Sequence, residues 1–390
     1  MWSYLALLLV PVGGAIASRL DGHRRRVAYW LLGAALTVAI GFRYQVGCDW
    51  NYYLLVFVRA QNSTSLFEAL TIFSPGYMLV NWLAARAGLG VAAVNAVCAA
   101  ILVSGLLAFS SARPKPWLAL LISLPVIILL AGFSATRQAT AIGFTLWAFH
   151  FYLEGRHRSA IVPILLAAAA FHPSALLMIP LALLMLRGVP ARSTAILLVA
   201  CAAGLSAAFF LLTVPPFSTQ LSWYPRSGGA WFRAIPSAAA LLAYALLRNR
   251  SEVPERERSL LFWLAAFTLF CLPLGLASST IMDRMGWYAV PFQAAALTRL
   301  ASLARSAAAR LALQVTIATP FVALFLGWLN FGATAPCLIP YRSYLSHPRL
   351  LSGDGAALQY KYNGITDPWH LVGARGRDEG GNAAAPRSGR

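Results

Sequence analysis

Arg43 and Asp49 stand six residues apart in Gly41-Phe42-Arg43-Tyr44-Gln45-Val46-Gly47-Cys48-Asp49-Trp50-Asn51-Tyr52-Tyr53. A carboxylate beside a guanidinium and several aromatic rings is equipped to take a proton from a hydroxyl, hold an anion and stack on a sugar ring. The same residues also suit an interfacial aromatic belt with a snorkelling arginine, so the segment admits both readings.

Three further polar islands have comparable chemistry. Arg137 and Gln138 open an apolar run that lasts to about Glu154. A guanidinium at a helix N-terminus lies where the dipole prefers an anion, and the two together make a phosphate receptor or call for a structural partner such as Asp49. His172, in Ala170-Phe171-His172-Pro173-Ser174-Ala175, is either a satisfied core histidine or a group that binds phosphate or moves a proton. Asp283-Arg284 either neutralises itself or contributes Arg284 to an anion site with Arg43 and Arg137.

These islands must be positioned by elements that live in lipid. Hydrophobic residues make up 59% of the 390 and charged ones 11%, against about a quarter charged in soluble domains. Nearly charge-free runs at 116–134, 192–213 and 260–280 are each long enough to cross about 30 Å of hydrocarbon, and their lack of alternation makes them helices. The reading is an all-α, polytopic integral membrane protein of about 12 transmembrane helices. The net charge of +19 does not indicate nucleic acid, because the arginines cluster between apolar runs. Basic groups at 19–26, 113–115, 156–158, 248–258 and 299–310 mark cytoplasmic loops, which puts residues 43–75, 134–138, 214–230, 280–285 and the region after Asn330 outside. Residues 76–111 cross an odd number of times and Gly88 and Gly90 can break them. Residues 159–187 go out and back in 29 residues, with Pro173 ending the first limb.

The chain divides into a membrane domain at 1–335, a periplasmic tail at 336–371 packing on it, and a disordered C-terminal tail at 372–390. Cys98, Cys201 and Cys271 sit in apolar runs, whereas Cys48 and Cys337 face one compartment and have the option of a disulfide. The sequence has no Walker motif, no D-x-D pair, no G-x-S-x-G elbow and no zinc-ligand spacing, so no metal and no cofactor is expected.

In order along the chain, Arg43 with Gly47, Asp49 and Tyr53; Ser74-Pro75-Gly76-Tyr77; Arg137-Gln138 with Ala141; Phe171-His172-Pro173-Ser174-Ala175; Asp283-Arg284 with Tyr288; and Pro340-Tyr341-Arg342 resemble the EpsG family of exopolysaccharide polymerases. Ser74 departs from the family, which usually has an acidic residue there. The resemblance implies a GT-C/Wzy-like polymerase that joins undecaprenyl-diphosphate-linked oligosaccharide repeat units at the outer face of the bacterial inner membrane. It implies no metal or nucleotide, and work beside a flippase and a chain-length regulator. With it, Arg137 and Arg284, helped by Arg43 and Gln138, are expected to hold the departing diphosphate. Asp49 or His172 is the base, and Tyr52, Tyr53, Tyr77 and Trp50 shape the sugar channel. The rival readings are a polysaccharide O-acetyltransferase, an O-antigen ligase and a glycan flippase or transporter.

Overall fold

A computed structural model of the chain describes residues 2–16, 22–187, 227–332 and 334–346. Within these residues every element is helical apart from one isolated β-bridge, as a chain that must satisfy its backbone in lipid requires. The expected span at 192–213, most of the loop at 214–230, and the tail from 347 onward with its disordered end lie outside the described residues.

Helices α1 (Trp2–Ile16) and α2 (Gly22–Gly41) lead into the first polar segment. Three short helices follow, α3 (Trp50–Asn62), α4 (Leu66–Ile72) and α5 (Pro75–Arg86), before α6 (Val91–Ser111). The break expected in 76–111 is a tight turn between α5 and α6 with Gly88 at φ +69°. Helix α7 (Pro116–Ser123) continues into a nine-residue π-helix, Leu124–Gly132, and α8 (Thr136–Glu154) returns. Pro125 lacks the N–H that an α-helix would use at that position, and the ladder resumes with the wider spacing.

The 159–187 segment turns back as expected. Helix α9 (Ile161–Phe171) stops before His172-Pro173, a 3₁₀ turn covers Pro173–Leu177, and α10 (Met178–Arg187) runs back alongside. The Arg158 guanidinium donates to the Leu186 carbonyl at 2.7 Å, so both ends of the hairpin meet on one side. Eleven residues of helix reach about 16 Å, roughly half the hydrocarbon thickness, so the His172 tip lies inside the protein. The described chain ends with α11 (Ala230–Leu247), α12 (Glu255–Cys271), α13 (Ser279–Gly286), α14 (Val290–Ser302) and α15 (Ala307–Phe331). Four helices among the described residues, Val91–Ser111, Ala230–Leu247, Glu255–Leu276 and Ala307–Phe331, are long and apolar enough to cross a membrane. Five further apolar helices among the described residues are shorter, at 10–17 residues.

The tightest seam is α6 on α8, where Gly105 lies against the Gly143 carbonyl. A Cβ at Gly143 would stand 2.6 Å from the Ile101 oxygen and from Leu102 Cα, both backbone atoms that cannot swing away. Small residues at a membrane helix contact let backbones approach, and here they set the depth at which α8 presents its first turn. Gly143→Ala is expected to destabilise the fold by about 1–3 kcal/mol. The check is the thermal melting of the detergent-solubilised protein, and an unshifted transition would mean that the seam is not tight.

At the far end of α6, Arg113 and Arg299 both pair with Glu257, Arg113 at 3.4 Å, and tie the α6 exit to α12 and α14. Arg113 lies 18 residues after Asn95, about 27 Å along the helix axis, so this buried charge cluster is remote from the first polar segment.

Candidate functional site

The end of the bundle opposite that cluster is closed by residues from both ends of the sequence. Tyr44 N–H donates to the Arg342 carbonyl at 2.9 Å, Tyr344 N–H to Phe42 O at 2.8 Å, and Gly47 N–H to Cys337 O at 3.0 Å. Cys48 and Cys337 form a disulfide, and Tyr4 Oη donates to Leu338 O at 2.8 Å. Gly47 has φ +110° and its α-carbon faces the Phe133 carbonyl, so only glycine fits the turn that delivers Asp49.

Arg43 is 1% exposed and all three of its guanidinium nitrogens donate internally. It donates to Ile40 O at 2.7 Å, Val46 O at 3.2 Å, Thr136 Oγ1 at 2.6 Å and Asn95 Oδ1 at 3.3 Å. These bonds join α2, α6 and α8 at the level of the site. Trp50, Tyr53 and Tyr77 are also buried. Trp50 packs against Tyr44 and Tyr344, and the Tyr53 and Tyr77 rings lie 5.4 Å apart. Of the expected aromatic lining, Tyr52 is exposed, edge-on to Phe73 at 5.4 Å.

Asp49, Arg137, His172 and Arg284 are each only partly buried. Asp49 precedes α3, yet its side chain makes no capping hydrogen bond. Burial raises its carboxyl above the usual range, while the positive charges of Arg284, Arg137 and Arg43, in that order, oppose the rise. No ion pair joins Arg137 to Asp49. Arg137, in the first turn of α8, donates from Nη1 to Ser74 Oγ at 2.8 Å and lies 3.6 Å over the Phe73 ring, and its Nε has no partner. Its cationic charge therefore has no acidic neighbour in contact.

Asp283 and Arg284 do not neutralise each other. Arg233 takes the Asp283 carboxylate with two prongs, Nε to Oδ1 at 2.8 Å and Nη2 to Oδ2 at 2.7 Å. Arg284 is left stacked 4.5 Å over Trp287, and its carbonyl accepts from Gln138 Nε2 at 2.7 Å. Gln138 thus fastens Arg284 to the same first turn that carries Arg137.

His172 Nδ1 accepts the Ser174 N–H at 3.3 Å and lies 2.6 Å from Ser174 Oγ, which in turn contacts Tyr288 Oη at 3.0 Å. A backbone N–H can only donate, so the neutral ring carries its proton on Nε2. Reading from sequence missed Phe73 and Arg233. The signal for Arg233 was available, since an arginine three residues into an apolar helix needs a partner. Among the described residues no group of histidine, cysteine and carboxylate side chains is arranged to hold a metal ion.

Fold and site together define a helical membrane protein that gathers Asp49, Arg137, His172 and Arg284 at one end of the bundle. The chain belongs to the EpsG family, whose model matches residues 26–343. No curated protein and no solved structure matches it. The family match ends at Ser343, the residue that bridges to Arg43, so it includes both halves of the site's closure. At the level of the family the protein is an exopolysaccharide-related polymerase of the glycosyltransferase type.

Proposed function

We propose that the protein polymerises undecaprenyl-diphosphate-linked oligosaccharide repeat units into exopolysaccharide at the outer face of the bacterial inner membrane. The observation that carries this reading is the pair of guanidiniums, Arg137 and Arg284, which have no acidic contact and whose fields both act on Asp49. Two fixed cations without counter-ions suit the two negative charges of a diphosphate diester, and aligned donors of this kind stabilise charge as it develops.

In the proposed step Asp49 removes the proton of the acceptor sugar's hydroxyl as its oxygen bonds to the donor's anomeric carbon. The bond from that carbon to the diphosphate breaks, and its electron pair leaves on the lipid diphosphate. Arg137 and Arg284 hold the charge. His172 donates from Nε2 to a phosphate oxygen, because its Nδ1 is occupied by the Ser174 N–H. That occupancy favours Asp49 over His172 as the base. Arg43 and Gln138 position the anion-binding residues, with Tyr52 and Phe73 forming a sugar platform and Trp50, Tyr53 and Tyr77 its packed support.

Two observations support the orientation. A disulfide persists in an oxidising compartment, which suits the end bearing Cys48 and Cys337 to the periplasm or cell exterior. The loops with Arg113, Arg156, Arg158 and Arg248–Arg258 then face the cytoplasm. In this reading the short and long apolar helices belong to a GT-C/Wzy-like membrane domain of about twelve crossings at 1–335, and the segment that begins at 336 is its periplasmic tail. The polymerase works beside a flippase that supplies the substrate and a regulator of chain length.

The test is to incubate the full-length protein in nanodiscs with its lipid-linked repeat unit and a chelator. A ladder of products is expected. Unchanged substrate from well-folded protein would overturn polymerisation.

A further inference from the structure

Arg233 is 9% exposed at its side chain and sits in an otherwise apolar helix, where an unpaired charge is costly. Its guanidinium grips both oxygens of Asp283 and also donates to Ser227 Oγ at 2.9 Å and the Gly228 carbonyl at 3.1 Å. Ser227 Oγ completes the set by donating to Asp283 Oδ2 at 2.9 Å. The neighbouring residue on α13 is Arg284. Successive helix residues point about 100° apart, so the Asp283 carboxylate meets Arg233 on α11 while the Arg284 guanidinium turns away from it onto Trp287.

The geometry points to Arg233 as a positioning residue for Arg284: by neutralising Asp283 it keeps that carboxylate from cancelling the positive potential that Arg284 offers to an anion. Asp49 is the other acid whose charge couples to Arg284. An unneutralised Asp283 would add a second negative charge within one residue, in surroundings where protein screens charge far less than water does. With it the site's net cationic charge would fall by one, and its preference for a doubly charged ligand would go. Arg284 itself stays in place, because Gln138 holds its carbonyl from the opposite side. This inference rests on the assignment of Arg284 to diphosphate.

The experiment is calorimetric titration of inorganic pyrophosphate into the full-length protein in nanodiscs. Arg233→Met is expected to bind about tenfold more weakly than wild type, within the range for coupled neighbours. Arg233→Met with Asp283→Asn, which removes both charges, is expected to recover wild-type affinity. Asp283→Asn alone, which leaves Arg233 cationic, is expected to bind at least as tightly as wild type. In an Arg284→Ala background, Arg233→Met should cause no further loss. A purely structural role would weaken binding equally in both backgrounds, and additive losses therefore overturn the inference. Weakened binding by Asp283→Asn overturns it as well, and so does native affinity in Arg233→Met; the Asp283→Asn result stands even if Arg233→Met fails to fold. Should Arg284→Ala bind pyrophosphate as well as wild type, the assignment of Arg284 falls and this inference with it. A loss in Arg284→Ala with none in Arg233→Met removes this inference alone.

Discussion

Arg137→Ala is expected to abolish polymer while leaving the protein folded in the membrane. The guanidinium holds no buried ion pair together: its contacts are one neutral hydrogen bond to Ser74 and the face of Phe73. Loss of those contacts removes little from the fold. At the site the same loss removes the cation in the first turn of α8, the group proposed to hold the diphosphate. Deleting one such donor from a preorganised anion site costs about a hundred- to a thousandfold in rate, or about 3–4 kcal/mol. Arg137→Lys keeps the charge but gives up the planar stack on Phe73 and the fork of donors, and an intermediate activity is expected. Ser74→Ala should matter far less than either. Product ladders from the three variants decide the matter, and full-length polymer from Arg137→Ala would refute the assignment.

Asp49→Asn is expected to lower kcat by about a hundred- to ten-thousandfold, the usual worth of a general base. Asparagine preserves the shape and the polar surface but cannot accept the proton. In the wild type the acid limb of the rate profile should lie above the ordinary carboxylate range, because burial raises this carboxyl more than Arg284, Arg137 and Arg43 lower it. Activity then rises with pH as Asp49 deprotonates. Arg284 is the largest opposing influence, so Arg284→Ala should move the limb to still higher pH along with its loss of rate. A wild-type profile flat through the acid range, or Asp49→Asn with native kcat, would shift the role of base to another group.

Some of this site was legible from residue types and some depended on three dimensions. The break at His172-Pro173 was visible because proline restricts the residue before it, and the hairpin's return followed from the 29 residues available. The convergence of Arg137, Arg284, Asp49 and His172 also followed from simple alternation of spans. What each charged side chain does there was not visible. Arg43 reads as an anion ligand until its acceptors are counted: besides the nearby Ile40 and Val46 carbonyls these are Asn95 and Thr136, 52 and 93 positions away, which no local pattern joins. Arg284 was one candidate partner for Asp283 in the sequence, whereas successive helix residues diverge by about 100° and the partner is Arg233, 50 residues earlier. The π-helix left no sequence signature beyond Pro125, and composition alone did not separate the short apolar helices from the four long enough to span.

The junction of Cys48 with Cys337 has a consequence for how the protein is made. The two cysteines are 289 positions apart, and the segment that bonds to residues 42–47 is the last part of the family-matched chain to emerge from the ribosome. At about 5–20 residues per second, Asp49 waits some 15–60 seconds in the membrane before its surroundings exist. A chain that stops short of Cys337 is therefore expected to lack polymerase activity however many helices it has inserted. The site is completed in one late event, when residues 337–344 tie back to residues 42–48.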